Sequence, residues 1–410
     1  MPLLTDIRPL KESPDFRRLW VGSTVSQLGQ QMTAVTVSIQ VYALSHSTFA
    51  VGLVGLCSLV PLIVFGLYGG AMADAIDRRT LALVSSAGLW LLSMILVAQS
   101  QLQWNQVWVL YAVVACQSAC FAVNGPARSA IIPRLIRPAL LPAANTLSQA
   151  SFNLGFTAGP LLGAAVIAWH GFAAAYLVDV ITFTAALYSL FRLPPVPPTG
   201  LVRRAGLRSV LEGFTFLRAA PALLATFLAD ILAMVFAQPR ALFPAVAGAF
   251  FGGGIRTVGL LQAAPAIGAL IGVVFSGWVS RVRRQGVAIV VAITVYAAAV
   301  GLFGLSRTIW LGVALLALSG AADMVSSAYR NTVLQSAAPD AMRGRLQGVF
   351  IVVVAGGPRL GGFVAGTAAS LTTPTIALLG GAAVCITGLF VLLARNRPFR
   401  EYDSHTRALS

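Results

Sequence analysis

Long apolar runs separated by short polar gaps dominate this chain, and the runs match the span of a bilayer better than the helices of a soluble core. Crossing the hydrocarbon takes about 20 mostly apolar helical residues. Runs of that kind recur at 19–44, 49–73, 81–99, 107–127, 143–169 and 172–191, then at 219–245, 257–280, 287–305, 309–329, 346–371 and 375–394. They predict an all-α membrane protein with twelve transmembrane helices in two pseudo-symmetric six-helix bundles. The one long polar break opens with Pro194, Pro195, Pro197 and Pro198, which stiffen the chain and exclude a helix. The expected organisation is a bundle over 1–192, a cytoplasmic linker over 193–218 and a second bundle over 219–410.

The halves echo one another. Arg128, Pro133, Arg137, Asn145, Gly159-Pro160 and Gly163 are followed in the second half by Arg330, Pro339, Arg343, Arg345, Gly357-Pro358 and Gly361. Duplications of this type place a binding site near the midplane in many transporters.

Composition fixes the solvent. Of 410 residues 58% are hydrophobic and 10% charged, against about 25% charged in soluble domains. The net charge of +16 raises the question of nucleic acid, but the cations sit in gaps between apolar runs and not on one water-facing surface, so no nucleic acid is expected as partner. Cytoplasmic loops retain Arg and Lys. With the N-terminus inside, of 28 basic residues only Arg240, Arg256 and Arg307 fall in external loops and Arg359 within a span, while Arg128 and Arg330 count as cytoplasmic loop charges. Both termini are therefore expected in the cytoplasm. The charges of 1–18, without a short apolar core or a small-residue cleavage site, lead us to expect no cleavable leader before the first run. Cys57, Cys116, Cys120 and Cys385 lie in apolar runs as small hydrophobes, so neither a disulfide framework nor a metal site is expected.

Two patterns carry more than topology. After the second run stands a tight turn with Gly70, Asp74, Asp77, Arg78 and Arg79. Its glycine permits close helix approach, and its acidic residues can accept from a helix N-terminus or a basic residue across a bundle. A cytoplasmic gate is expected here, with Arg343 or Arg345 as the partner of Asp74. In the fifth run Gly155, Gly159 and Gly163 recur every four residues with Pro160 among them, a face made for close helix packing.

On these two patterns and the two six-span halves the chain resembles the major facilitator superfamily over nearly its whole length. The turn resembles that superfamily's signature between spans two and three, and the Gly-Pro pattern is similar to the motif of its drug/proton exporters. PDFRRLW before the first span, HSTFAVGL after it and TVLQSAAPDAMRGRLQGV before the eleventh resemble the branch holding the enterobactin exporter and related efflux proteins. The resemblance implies a bacterial inner-membrane exporter of amphipathic molecules, drugs or siderophores. Two departures stand out: the second-half loop has Arg281 in place of the acidic residue, and the fourth span has Gln117 and Ser118 where many drug/proton exporters carry a cation.

Ionisable groups inside spans are costly and mark function by default. Asp230 and Asp323 are the expected proton-coupling carboxylates, with Arg359 as counter-ion or anchor for an anionic substrate, while Asp179 is read as structural and close to external water. Gln27, Gln31, Gln117, Asn153, Gln238 and Tyr329 are candidates for the wall of a substrate cavity. The expected partners are a small amphipathic substrate and the lipid bilayer, the working unit is a monomer, and a proton gradient takes the place of any cofactor. Enzyme chemistry is not expected: Lys11 is the only lysine, so no phosphate-binding Gly-Lys-Ser/Thr loop exists, and His46, His170 and His405 form no metalloprotease motif. An importer or facilitator of a small nutrient is the competing reading, disfavoured because the spans are dominated by Ala, Val, Leu, Phe and Gly.

Overall fold

A computed structural model describes residues 6–197, 215, 217, 220–275, 282–337 and 340–402, with side chains 67–71, 73–75, 335–337 and 340–352 outside that description. Within it the chain is helical throughout: α1 (Arg8–Glu12), α2 (Pro14–Ser45), α3 (Thr48–Ala75), α4 (Arg78–Gln101), α5 (Val107–Leu135), α6 (Leu141–Phe191), α7 (Pro221–Phe236), α8 (Phe243–Phe251), α9 (Ile255–Val274), α10 (Gln285–Phe303), α11 (Ile309–Ala337), α12 (Asp340–Leu371), α13 (Pro374–Arg395) and α14 (Arg397–Arg400). Among the described residues, nine stretches are long and apolar enough to cross a membrane.

Local chemistry sets the ends. Asp77 caps α4 by accepting from Thr80 N at 2.8 Å, and Thr373 caps α13 by accepting from Ile376 N at 3.2 Å, with Pro374 at the first helical position. Gly252, at φ +57°, ends α8 in the left-handed conformation that glycine reaches without steric cost. Gly171, at φ +78°, breaks α6 in two at the place where the sequence separates 143–169 from 172–191. The predicted run 219–245 is interrupted instead, because α7 stops at Phe236 and α8 starts at Phe243. Hydroxyls in apolar stretches return to carbonyls of their own helix, as in Thr36 to Met32 O and Ser45 to Val41 O, both 2.7 Å, which leaves few polar atoms facing hydrocarbon.

The chain forms two compact units, Met1–Ser45 with Cys57–Gly206, and His46–Leu56 with Leu207–Ser410. In the first, Leu19, Leu81, Val123, Ile131, Leu190 and Val196 build a core from α2, α4, α5 and the end of α6. In the second, α9 and α11 cross where a Cβ on Gly268 would strike Ala317 backbone and one on Gly320 would strike Pro265 backbone. There the opening turns of α3 also belong, with Thr48 donating to Gly366 O at 3.0 Å. Trp108, Trp169, Phe191, Phe275 and Trp310 are all exposed by 66% or more, a degree of apolar exposure that calls for lipid and not water as solvent.

At their C-terminal ends α5 and α11 run well past the expected limits. The fourth run was bounded at 127 and the tenth at 329, each at its first cation, whereas α5 continues to Leu135 and α11 to Ala337. Arg128 and Arg330 are therefore helical residues inside the units and not loop charges. The reason is that their guanidinium groups find partners in the interior, as the site geometry shows.

Candidate functional site

In the second unit Asp230, on α7, and Arg330, on α11, form an ion pair with side chains 3% and 5% exposed. Arg330 Nη2 also reaches Asp323 Oδ1 at 3.3 Å, two turns earlier on the same helix. Asp323 is 41% exposed, so the second carboxylate is open while the first is enclosed. Asp230 Oδ2 and Arg330 Nε have no hydrogen-bond partner among the described residues, and both residues line a small cavity with Thr226, Phe227 and Leu334. Two charges removed from water attract strongly but lose hydration, so an incompletely bonded buried pair is finely balanced.

The counter-ion expected for these carboxylates was Arg359. The guanidinium that reaches them is Arg330, while Arg359 Nη1 on α12 donates to Ala355 O of its own helix at 2.5 Å. Asp179 is also placed differently from its reading: it is 1% exposed and takes a hydrogen bond from Ser93 at 2.7 Å. Gln117 donates to Ser93 at 3.4 Å, so a polar thread runs from half-buried α5 through α4 to that carboxyl.

The remaining wall candidates divide. Gln27 and Gln31 lay their stems over the glycine face of α6, since a Cβ on Gly155 would stand 2.8 Å from Gln27 Cγ and one on Gly159 2.5 Å from Gln31 Cβ. The second half repeats this arrangement: a Cβ on Gly361 of α12 would meet Gln238 Cβ at 2.9 Å, and one on Gly357 would meet Met234 Cβ at the same distance. Gln238 is 6% exposed and Tyr329 2%. Asn153 accepts from Gln149 on its own helix at 3.3 Å. Gly163 closes on Met32, and Pro160 is buried beside Gly159. Unread from sequence was a buried triad in which Gln40 and Gln99 exchange amide bonds of 3.4 and 3.0 Å while Tyr176 donates to Gln40 Oε1 at 2.7 Å. Its members are single polar positions in apolar helices, linked only by folding.

The turn after α3 is a fastening within the first unit. Asp77 caps α4 with one oxygen and accepts from Val196 N at 2.7 Å with the other, and Arg78 N returns a bond to Val196 O at 3.1 Å. Arg79 donates to Leu190 O at 3.2 Å and Phe191 O at 2.6 Å, where a cation also answers the negative end of α6. The side chains of Gly70, Asp74, Arg343 and Arg345 lie outside the described residues. Asp77→Ala removes the cap and the tether to Val196 together, and is expected to cost about 1–2 kcal/mol. A lower thermal midpoint with faster proteolysis in 192–197 is the expected result; an unchanged protease pattern would show that the tether carries no weight.

A helical protein covered in exposed apolar side chains, with charges paired and sealed inside, is a multi-pass membrane protein of the transporter kind. The model of the transmembrane secretion effector family matches residues 5–409, and the chain belongs to that family, within the major facilitator superfamily. It is 29% identical to the enterobactin exporter EntS of Shigella boydii and 28% identical to that of Citrobacter koseri, each match covering 97% of this chain and 96% of the relative. Among solved structures, a POT family transporter in complex with 5-aminolevulinic acid superposes with a TM-score of 0.76 at 12% identity, over 94% of this chain and 97% of the other. The family and these relatives make the chain a transporter.

Proposed function

We propose that this protein is a secondary active exporter of amphipathic, siderophore-like small molecules, working by alternating access and proton antiport. The observation that carries the export reading is the end-to-end similarity to enterobactin exporters. In this reading twelve spans form two six-helix bundles in the cytoplasmic membrane, with both termini inside, joined through a cytoplasmic linker. The protein acts as a monomer with no cofactor other than the proton gradient, and the turn after α3 serves the inner gate.

Proton coupling is assigned to the Asp230–Arg330–Asp323 cluster. A proton on Asp230 cancels its charge and frees Arg330 to turn wholly to Asp323, which sits on the wetter side. One proton moving down the membrane potential supplies about 2.3 kcal/mol per 100 mV, enough for a modest uphill gradient of cargo. Arg359 and the polar wall residues are left to substrate contact.

Inside-out vesicles test this. An acidic lumen should drive uptake of an amphipathic dye or of enterobactin, a protonophore should collapse it, and Asp230→Asn should leave only uptake that ignores the gradient. Gradient-driven uptake that survives Asp230→Asn and Asp323→Asn together would end the coupling assignment, and the absence of any uptake would end the export reading.

A further inference from the structure

The repeat that relates the halves pairs Arg128 with Arg330, yet the two guanidinium groups meet different chemistry. Arg330 is answered by two carboxylates. Arg128, on α5, is answered by hydroxyls: Nη1 donates to Ser23 at 3.0 Å and Ser26 at 3.4 Å on α2, and Nη2 donates to Ser86 at 3.1 Å on α4. Its Nε is buried and has no hydrogen-bond partner among the described residues. The described acids of this unit are engaged elsewhere: Asp6 with Arg8, Asp15 with Arg18, Glu12 with Arg137, Asp77 with Thr80 and Val196, and Asp179 with Ser93.

A guanidinium withdrawn from bulk water and given only neutral partners lacks the countercharge that normally compensates its lost hydration. Ser26 and Ser86 are 4% and 0% exposed, whereas Arg128 and Ser23 are half-buried, so the cluster is closed at its base and open at one side. Hydroxyls rotate, so they can accept from Arg128 in one state and donate to an incoming oxygen in another. Asn124, one turn before Arg128 on α5, donates to the same Ser86 at 2.8 Å, which fixes the base of the cluster. An arginine fork flanked by hydroxyl donors fits an anionic oxygen group, a carboxylate or a phenolate.

We infer that Arg128, with Ser23, Ser26 and Ser86, is a binding site for an anionic oxygen group of the exported molecule. The inference rests on the export reading for the identity of its ligand. It gives the first half a site for anionic cargo at the position where the second half has Arg330, which its two carboxylates already neutralise. A phospholipid headgroup offers the same chemistry, and the test separates the two sources.

Purified full-length protein in phosphatidylcholine nanodiscs is titrated with pyrenebutyrate and with its uncharged methyl ester, using energy transfer from the protein's tryptophans and subtracting empty discs. Wild type should bind the carboxylate more tightly than the ester. Arg128→Gln should weaken the carboxylate by about tenfold to a hundredfold, as expected for a hydrogen-bonded charge, and shift the ester less than about twofold. Arg128→Lys should keep part of the preference. Ser86→Ala and Ser23→Ala, which retain the charge, should each lower it by a smaller factor and keep the proposal open to refutation if Arg128→Gln does not fold. Equal losses for both probes would make the cluster a helix fastening and overturn the proposal. So would the absence of any preference in wild type, or a preference abolished by phosphatidylglycerol in the disc, which would make a lipid headgroup the occupant. Binding at equilibrium needs no transport: charge discrimination without vesicle uptake would sink the export reading and leave the site standing, while uptake without discrimination would do the reverse.

Discussion

Arg330→Met alone should leave little folded protein, and Arg330→Met combined with Asp230→Leu should recover most of it. Removing one member of a buried ion pair strands the other charge, at a cost of about 3–5 kcal/mol, whereas replacing the whole pair by apolar side chains of similar size is often neutral or stabilising. Asp230 is the member at risk, because it is 3% exposed and has no other cation among its bonds, while Asp323 can return to water. Thermal midpoints from fluorescence-detected size exclusion give the cycle. The single variants should each fall well below wild type and the double should lie near it, with a coupling of several kcal/mol. Simple addition of the two losses would mean that the pair does not act as a unit. Under the coupling assignment the restored double variant should still lack gradient-driven transport, which separates the pair's role in folding from its role in the cycle.

The two helix ends misplaced from sequence explain why this pair was half-legible. A carboxylate in an apolar run announces itself, so Asp230 and Asp323 were found; a cation at the edge of a run looks like the start of a loop, so Arg330 was placed outside the membrane. The same rule misplaced Arg128. Both errors come from treating charge as a boundary, when a helix keeps its backbone bonds through any residue whose side chain finds partners, here Asp230 for one and three serines for the other. The internal repeat held the correction, because it aligned the two arginines at the start of the same duplicated segment. The break in α6 was legible for the opposite reason: Gly171 takes a backbone angle that side chains rarely adopt, and short polar punctuation marks such positions. What no reading of one chain supplies is which distant amides meet, as Gln40, Gln99 and Tyr176 do.

Gly159→Leu should abolish assembly of the first unit, and Gly159→Ala should already lower its thermal midpoint. At that position a Cβ would stand 2.5 Å from Gln31 Cβ and 3.2 Å from Leu28 O, and the neighbours one turn away are no freer, with Gly163 at 3.1 Å from Met32 Cα. The stripe of glycines therefore sets the distance between α2 and α6, and a methyl group forced into such a seam costs about 1–3 kcal/mol, a larger side chain more. Gly380→Ala, inside α13, supplies the control, since nothing lies within 4 Å of a Cβ there and its helix should if anything gain from alanine. The same argument carries to the duplicated copy, where Gly361 meets Met234 backbone and Gln238, so Gly361→Leu should disrupt α12 against α7 as Gly159→Leu disrupts α6 against α2. If Gly159→Ala and Gly380→Ala shift the midpoint alike, the stripe is a compositional accident of an apolar helix and not a packing device, and the motif reading fails with it.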